Sequence, residues 1–320
     1  MELIFDPICN LHLTGAMHPE NVKRLQVFQP LPTTNVPNAI DAILKIHDPA
    51  YIDKVQLYCS REAPLDADTM TSKDTFRAAA HATGVAILAS EKNDFALVRP
   101  PGHHAYRNKA SGFCIFNHVA IASQVLIEQG QRVLVLDFDG HFGDGTYHIF
   151  KDSDRIMYWS IHQFPAFPFQ GTPEDIGIDL GAGYSLCVPI PPGSGDDIFL
   201  DAFHSFLPIA QQFKPDIVAL SAGFDAYSRD PLLDLNVTVE GFYQLGLAIS
   251  QHFDHHFAVL EGGYNIEYLP KCVYAFLNGI NQQPPLYMEA ASTTNAAIWS
   301  RYQRDKEKII KNLSPYWKTK

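Results

Sequence analysis

Residues 132–150 read RVLVLDFDGHFGDGTYHIF, an apolar run that ends in Asp137, Asp139, His141 and Asp144. Buried carboxylates are costly unless they are paired or bind a cation. Residues two apart on a strand share a side. Asp137, Asp139 and, where the strand extends that far, His141 therefore face one way. The Asp139-x-His141 pair offers one hard oxygen and one nitrogen ligand, which suits Zn²⁺ or Fe²⁺. The competing reading is a set of strand-end caps with a GDG turn, to which Asp144 alone would belong.

Three further clusters follow other apolar runs. LVRPPGHHA places His103 and His104 in a Pro/Gly-rich turn, compatible with a metal site, an acid/base pair or a surface turn. LSAGFDAYSRDPL places Asp225 after a Gly-containing turn, as an oxygen ligand or a helix N-cap. VLEGGYN lets the backbone bend at Gly262-Gly263 and presents Tyr264, either as an oxyanion donor or as a packed ring. In a parallel α/β sheet, ligands bind beyond the carboxyl ends of the strands, so the four clusters converge in space. Two carboxylates, one metal-binding His, two free His and a Tyr are the parts of a metallohydrolase.

The elements that must carry these residues alternate. The spacing predicts strands at 3–6, 95–100, 132–139, 155–162, 184–190, 216–223 and 257–263. Several are apolar throughout, as strands covered on both faces are. Helical patterns fill 71–92, 117–130, 196–213 and 238–253. A Thr/Ser cap opens the first, and Gly130 closes the second. The expected fold is a single α/β domain over residues 1–320, a parallel sheet flanked by helices. Residues 281–320 read as a peripheral helix and tail, with the basic run KEKIIKNLSPYWKTK as a solvated helix face.

The chain has 320 residues, 46% of them hydrophobic, and a formal net charge of −11. This balance argues against a basic nucleic-acid surface and suits cationic substrates. Cys9, Cys59, Cys114, Cys187 and Cys272 show no CxxC pairing, so a disulfide framework is not expected. The first residues read as a strand and not as a signal peptide, and no apolar run reaches the roughly 20 residues of a membrane span. A cytoplasmic setting is expected, with no membrane partner; oligomeric state is left open.

RPPGHHA…SGFCIFN, DFDGHFGDGT, SAGFDAYSRDPL and EGGYN, in this order, resemble the histone deacetylase family, nearer its class II-like and bacterial members. HPENVKRL at 18–25 resembles the family's N-terminal segment, and the likeness runs from about 3 to 280. It implies the arginase/deacetylase fold with an eight-stranded parallel sheet. Carried over by motif, Asp139, His141 and Asp225 look like the Zn²⁺ ligands, with Fe²⁺ as the alternative metal. His104 looks like the general base and acid, with His103 its electrostatic partner. Asp137 and Asp144 look like the carboxylates behind His103 and His104. Tyr264 resembles the residue that polarises the scissile carbonyl. Gly112 and Phe113 resemble one wall of an acyl-lysine tunnel. Phe167 is the choice for the opposite wall, although FPAFPFQGT has two residues more than the family's usual Phe-Pro-Gly-Thr. The resemblance also implies structural K⁺. One site would use Asp137, the backbone oxygens of Asp139 and His141, Ser160 and the Ile161 carbonyl; a second would use carbonyls near Phe150, Ser153 and Ile156.

Two departures bear on function. Phe142 stands where the family usually has a second His. Leu232 stands where the polyamine-preferring branch has an acidic gate. The implied activity is removal of an acyl group from a lysine side chain of a peptide or protein. The alternatives are an acetylpolyamine or other small N-acyl amine as substrate, and a catalytically feeble acyl-lysine-binding module.

Overall fold

The computed structural model describes residues 1–28 and 30–319. Runs of buried apolar residues become strands, each followed by a polar turn and then a helix. In chain order the elements are β1 (Leu3–Ile4), α1 (Lys23–Gln26), α2 (Ile40–Ile46), α3 (Pro49–Ser60), α4 (Thr75–Lys92), β2 (Phe95–Ala96), α5 (His118–Glu128), β3 (Val133–Asp137) and α6 (Asp144–Phe150). They continue with β4 (Ile156–Gln163), β5 (Ser185–Ile190), α7 (Asp196–Phe213), β6 (Ile217–Ala222), α8 (Val239–His252), β7 (His256–Leu260), α9 (Leu269–Ile280) and α10 (Ala296–Leu313).

The strands form one parallel sheet in the order β1-β2-β7-β6-β3-β4-β5. Every residue of β3, β4, β5 and β6 is buried, which explains their unbroken apolar patterns. The expected α/β fold is observed, but the sheet has seven strands among the described residues and not eight. All seven are the runs legible in the sequence; the eighth came from the family likeness alone. Three pairings outside the sheet, Ser111 with Cys114, Gly195 with Asn236 and Tyr227 with Val237, stay isolated bridges. They lie where the chain turns, and no ladder extends from them.

Helices flank the sheet. The second predicted helix ends as expected, with Gly130 at φ +90° and its N–H on the Ile127 carbonyl. The first begins later than expected, at Thr75 behind Asp74, with no side-chain cap. Ser72 instead donates its N–H to Thr75 Oγ1. α10 runs along edge strand β5 and protects it. Part of the C-terminal segment is structural: Tyr302, Ile309 and Leu313 are buried, and Trp317 donates to the Gly183 carbonyl at 2.6 Å. All five cysteines are free and buried. Among the described residues no helix is long and apolar enough to cross a membrane.

Candidate active site

β3 ends at Asp137, and the chain then coils on itself. Asp137 accepts the Asp139 N–H at 3.2 Å, and Asp139 accepts the His141 N–H at 2.8 Å. These local bonds aim the side chains after the strand has stopped. The neighbouring strand β6 brings Asp225 against them. One atom each of Asp139, His141 and Asp225 lies within 4.8 Å of the other two. His141 Nδ1 stands 2.8 Å from Asp225 Oδ2 and 3.3 Å from Asp139 Oδ1. Backbone N–H groups hold the remaining oxygens: Gly262 donates to Asp139 Oδ2 and Gly140 to Asp225 Oδ1, both at 2.7 Å. A Cβ on Gly262 would collide with Asp225 Oδ2, so only glycine allows that approach.

This donor set fits a divalent cation. One imidazole nitrogen and two carboxylate oxygens match Zn²⁺ or Fe²⁺, and the atoms are close enough to share an ion bound at ~2.0–2.2 Å. Both carboxylates are fully buried and call for positive charge. Burial alone would lower the His141 pKa, yet Asp225 and Asp139 push it up to about 10.

The turn after β2 presents His103 and His104 with rings 4.0 Å apart. His103 Nδ1 lies 3.1 Å from Asp137 Oδ2, and His104 Nδ1 lies 2.7 Å from Asp144 Oδ1. The two imidazoles are tuned in opposite directions. Burial works against charge on His103, but Asp139 and Asp137 outweigh it and raise its pKa. His104 is lowered to about 4 by burial and by the charge of His103, against the pull of Asp144. The carboxylates thus bias His103 toward the protonated form, and burial biases His104 toward the neutral one.

A cavity of about 250 Å³ leads to this centre, lined by Gly112, Phe113, Phe167, Leu232 and Tyr264 with His104 and His141 at its base. Phe167 sets its ring edge against His104 at 5.1 Å, and Phe113 meets Tyr264 at 5.8 Å. Gly112 has φ +52°, and a Cβ there would sit 2.5 Å from the His104 ring. Phe142 is buried against Tyr147, Tyr158 and His162, so an apolar cluster occupies the place of the family's second His. Asp137 pairs with Ser160 in the β3–β4 register, next to Ile161. Phe150 ends α6, Ile156 begins β4, and Ser153 lies in the connection between them with its N–H on the Phe150 carbonyl at 2.9 Å.

Several contributors escaped the sequence reading. Asp68 also lines the cavity, and its pKa is raised to about 6 by burial and by Asp66. Glu20, within HPENVKRL, is fully buried and bonds Arg99 at 2.5 and 2.7 Å and Arg24 at 3.2 Å. Arg24 in turn donates to the Gly263 and Glu261 carbonyls at 2.7 and 2.5 Å and lies 4.9 Å from the Tyr264 ring centre. Glu261 accepts the Gly102 and His103 N–H groups at 2.6 and 3.0 Å. Asp230 accepts the Tyr264 and Leu232 N–H groups at 2.7 and 3.0 Å. Tyr106 donates to Asp144 Oδ2 at 2.5 Å. The available signal was the charge of Glu20, Arg24 and Glu261 inside otherwise quoted motifs; their partners lie far away in the chain.

Comparison with known proteins agrees with this geometry. Residues 16–280 match the family model described as the histone deacetylase domain. A probable deacetylase of Archaeoglobus fulgidus is 36% identical over 72% of this chain and 68% of its own length. A probable deacetylase of Methanothermobacter thermautotrophicus is 40% identical over 76% of both chains. Among solved structures, the HDA15 HD domain superposes with TM-score 0.88 at 29% identity, covering 99% of this chain and 94% of that one. The acetylpolyamine aminohydrolase of Burkholderia pseudomallei gives 0.81 at 29% identity, covering 88% and 98%. With its family match spanning most of its length, this chain belongs to the histone deacetylase family.

Proposed function

We propose that the protein is a Zn²⁺-dependent hydrolase that removes an acetyl or other acyl group from a lysine side chain. The observation that carries this reading is the cavity walled by Phe113 and Phe167, which ends on His104, His141 and Tyr264. An aliphatic lysine stem suits such walls, and its amide would meet the polar base.

Asp139, His141 and Asp225 would hold the metal, with Fe²⁺ the alternative ion. A divalent cation there supplies Lewis acidity and brings the pKa of a coordinated water toward ~7. The residues divide the rest of the work. Asp144 fixes His104 with its proton on Nδ1, which leaves Nε2 free to accept a proton from the attacking water. The same nitrogen then protonates the leaving amine, so the products are a free amine and a carboxylate. His103, biased toward its protonated form by Asp139 and Asp137, would balance negative charge as it develops. The Tyr264 hydroxyl donates to the oxyanion. Structural K⁺ at Asp137, Asp139, His141, Ser160 and Ile161, and a second ion near Phe150, Ser153 and Ile156, belong to the same proposal.

A second reading, deacylation of a polyamine or another small amine, is favoured by one observation: the Asp68 carboxylate in the cavity lining, which a second cationic nitrogen would meet. Leu232 at the same mouth favours acyl-lysine. The test is kcat/KM on a panel of acyl-lysine peptides and acylated polyamines, run on metal-analysed protein. Preference for the peptides supports the first reading, preference for the polyamines supports the second, and turnover of neither overturns both.

A further inference from the structure

Asp144 is 1% exposed, and its side chain accepts two bonds. His104 Nδ1 takes Oδ1 at 2.7 Å, and the Tyr106 hydroxyl takes Oδ2 at 2.5 Å. A buried carboxylate with an oxygen left unbonded is costly, so the tyrosine is a required partner of this acid. Tyr106 is itself held from outside the site. Gln170 donates to its oxygen at 3.4 Å, and Gln170 Oε1 lies 3.0 Å from His148 Nε2. The His148 ring sits 5.0 Å from the tyrosine ring, and the Lys109 ammonium 4.0 Å from it. Gln170 lies three residues after Phe167, the cavity wall that packs on His104. The loop that shapes the cavity and the acid behind His104 are thus tied by one hydroxyl.

We propose that Tyr106 is a positioning residue: through Asp144 it sets the orientation and proton placement of His104, and through Gln170 it joins that pair to the Phe167 loop. This rests on His104 being the acid and base of the deacylation described above. Tyr106 touches neither substrate nor metal ligands, so its effect belongs in kcat and not in KM. Outer partners of catalytic groups typically matter by about 10–100-fold.

The test is Tyr106→Phe, which keeps the ring and removes only the hydroxyl. The expected result is a fall in kcat of about tenfold, with KM within about twofold and a thermal midpoint lowered by roughly 2–6 °C, the cost of the unbonded Asp144 oxygen. In an Asp144→Asn background the same change should add nothing, because the two act through one hydrogen bond. The ¹H and ¹⁵N resonances of the His104 Nδ1–H group should shift in Tyr106→Phe. That readout needs no turnover, so it judges this inference even if no acyl substrate is hydrolysed. Unchanged His104 resonances overturn the proposal. So does an equal loss of kcat in the wild-type and Asp144→Asn backgrounds.

Discussion

Replacing Glu20 by Gln should destabilise the protein and also remove part of its acid sensitivity. Glu20 sits fully buried between Arg99 and Arg24, with His12 at 3.5 Å. Burial pulls its pKa upward, but the Arg99 guanidinium and the bond from His12 hold it well below 4.5. The substitution leaves two guanidiniums buried without their counter-charge. Breaking a buried pair from one side costs roughly 3–5 kcal/mol, which at about 2 °C per kcal/mol lowers the midpoint by roughly 6–10 °C. The pH sign follows from the depressed pKa. The stabilisation is fully present above the unfolded value near 4.5 and is lost as pH falls through the folded one. The stability difference between wild type and Glu20→Gln should therefore be flat above pH 5 and shrink below 4.5. Urea unfolding followed by tryptophan fluorescence at several pH values measures it. A difference under about 1 kcal/mol at pH 7, or one that grows in acid, would refute the reasoning.

Other outcomes follow from the same geometry. Tyr264→Phe keeps the ring between Phe113 and Arg24 but removes the oxyanion donor, so kcat should fall about 10²–10³-fold while KM changes little; steady-state kinetics on an acetyl-lysine substrate decides it. The acid limb of kcat/KM should lie below the ordinary imidazole value of 6.5 and toward 4, since burial and His103 depress His104; a limb above 6.5 in a pH–rate profile contradicts the assignment. Leu232→Glu places a carboxylate at the cavity mouth and should shift the ratio of acetylpolyamine to acetyl-lysine kcat/KM about tenfold toward the polyamine, read by competing the two substrates.

The strands and the four reactive clusters were legible because both come from local rules. Apolar runs mark the buried sheet, and charge at their carboxyl ends marks the ligand side. Asp139 and His141 announced themselves two residues apart. The residues behind them did not, because their meaning lies in distant partners. Glu20 meets an Arg99 that is 79 positions away, and Gly102 meets a Glu261 that is 159 away. Tyr106 carries no local signal, and its meaning comes from α6 bringing Asp144 to its hydroxyl. The strand count taken from the family likeness was one too many, since the described residues form a sheet of seven strands. The short helices α1, α2 and α6 span seven residues or fewer, too few to show a distinctive period, whereas α3 and α9, 12 residues each, went unread without that reason.

The central claim is that Asp139, His141 and Asp225 hold a metal on which amide hydrolysis depends. Acetate release from an acetyl-lysine peptide, measured for wild type and Asp225→Ala in the same buffer with one equivalent of Zn²⁺, tests it most directly. Steady release by wild type, with one bound metal per chain, and loss of both metal and release in the variant are expected. Undiminished release by Asp225→Ala would contradict the claim.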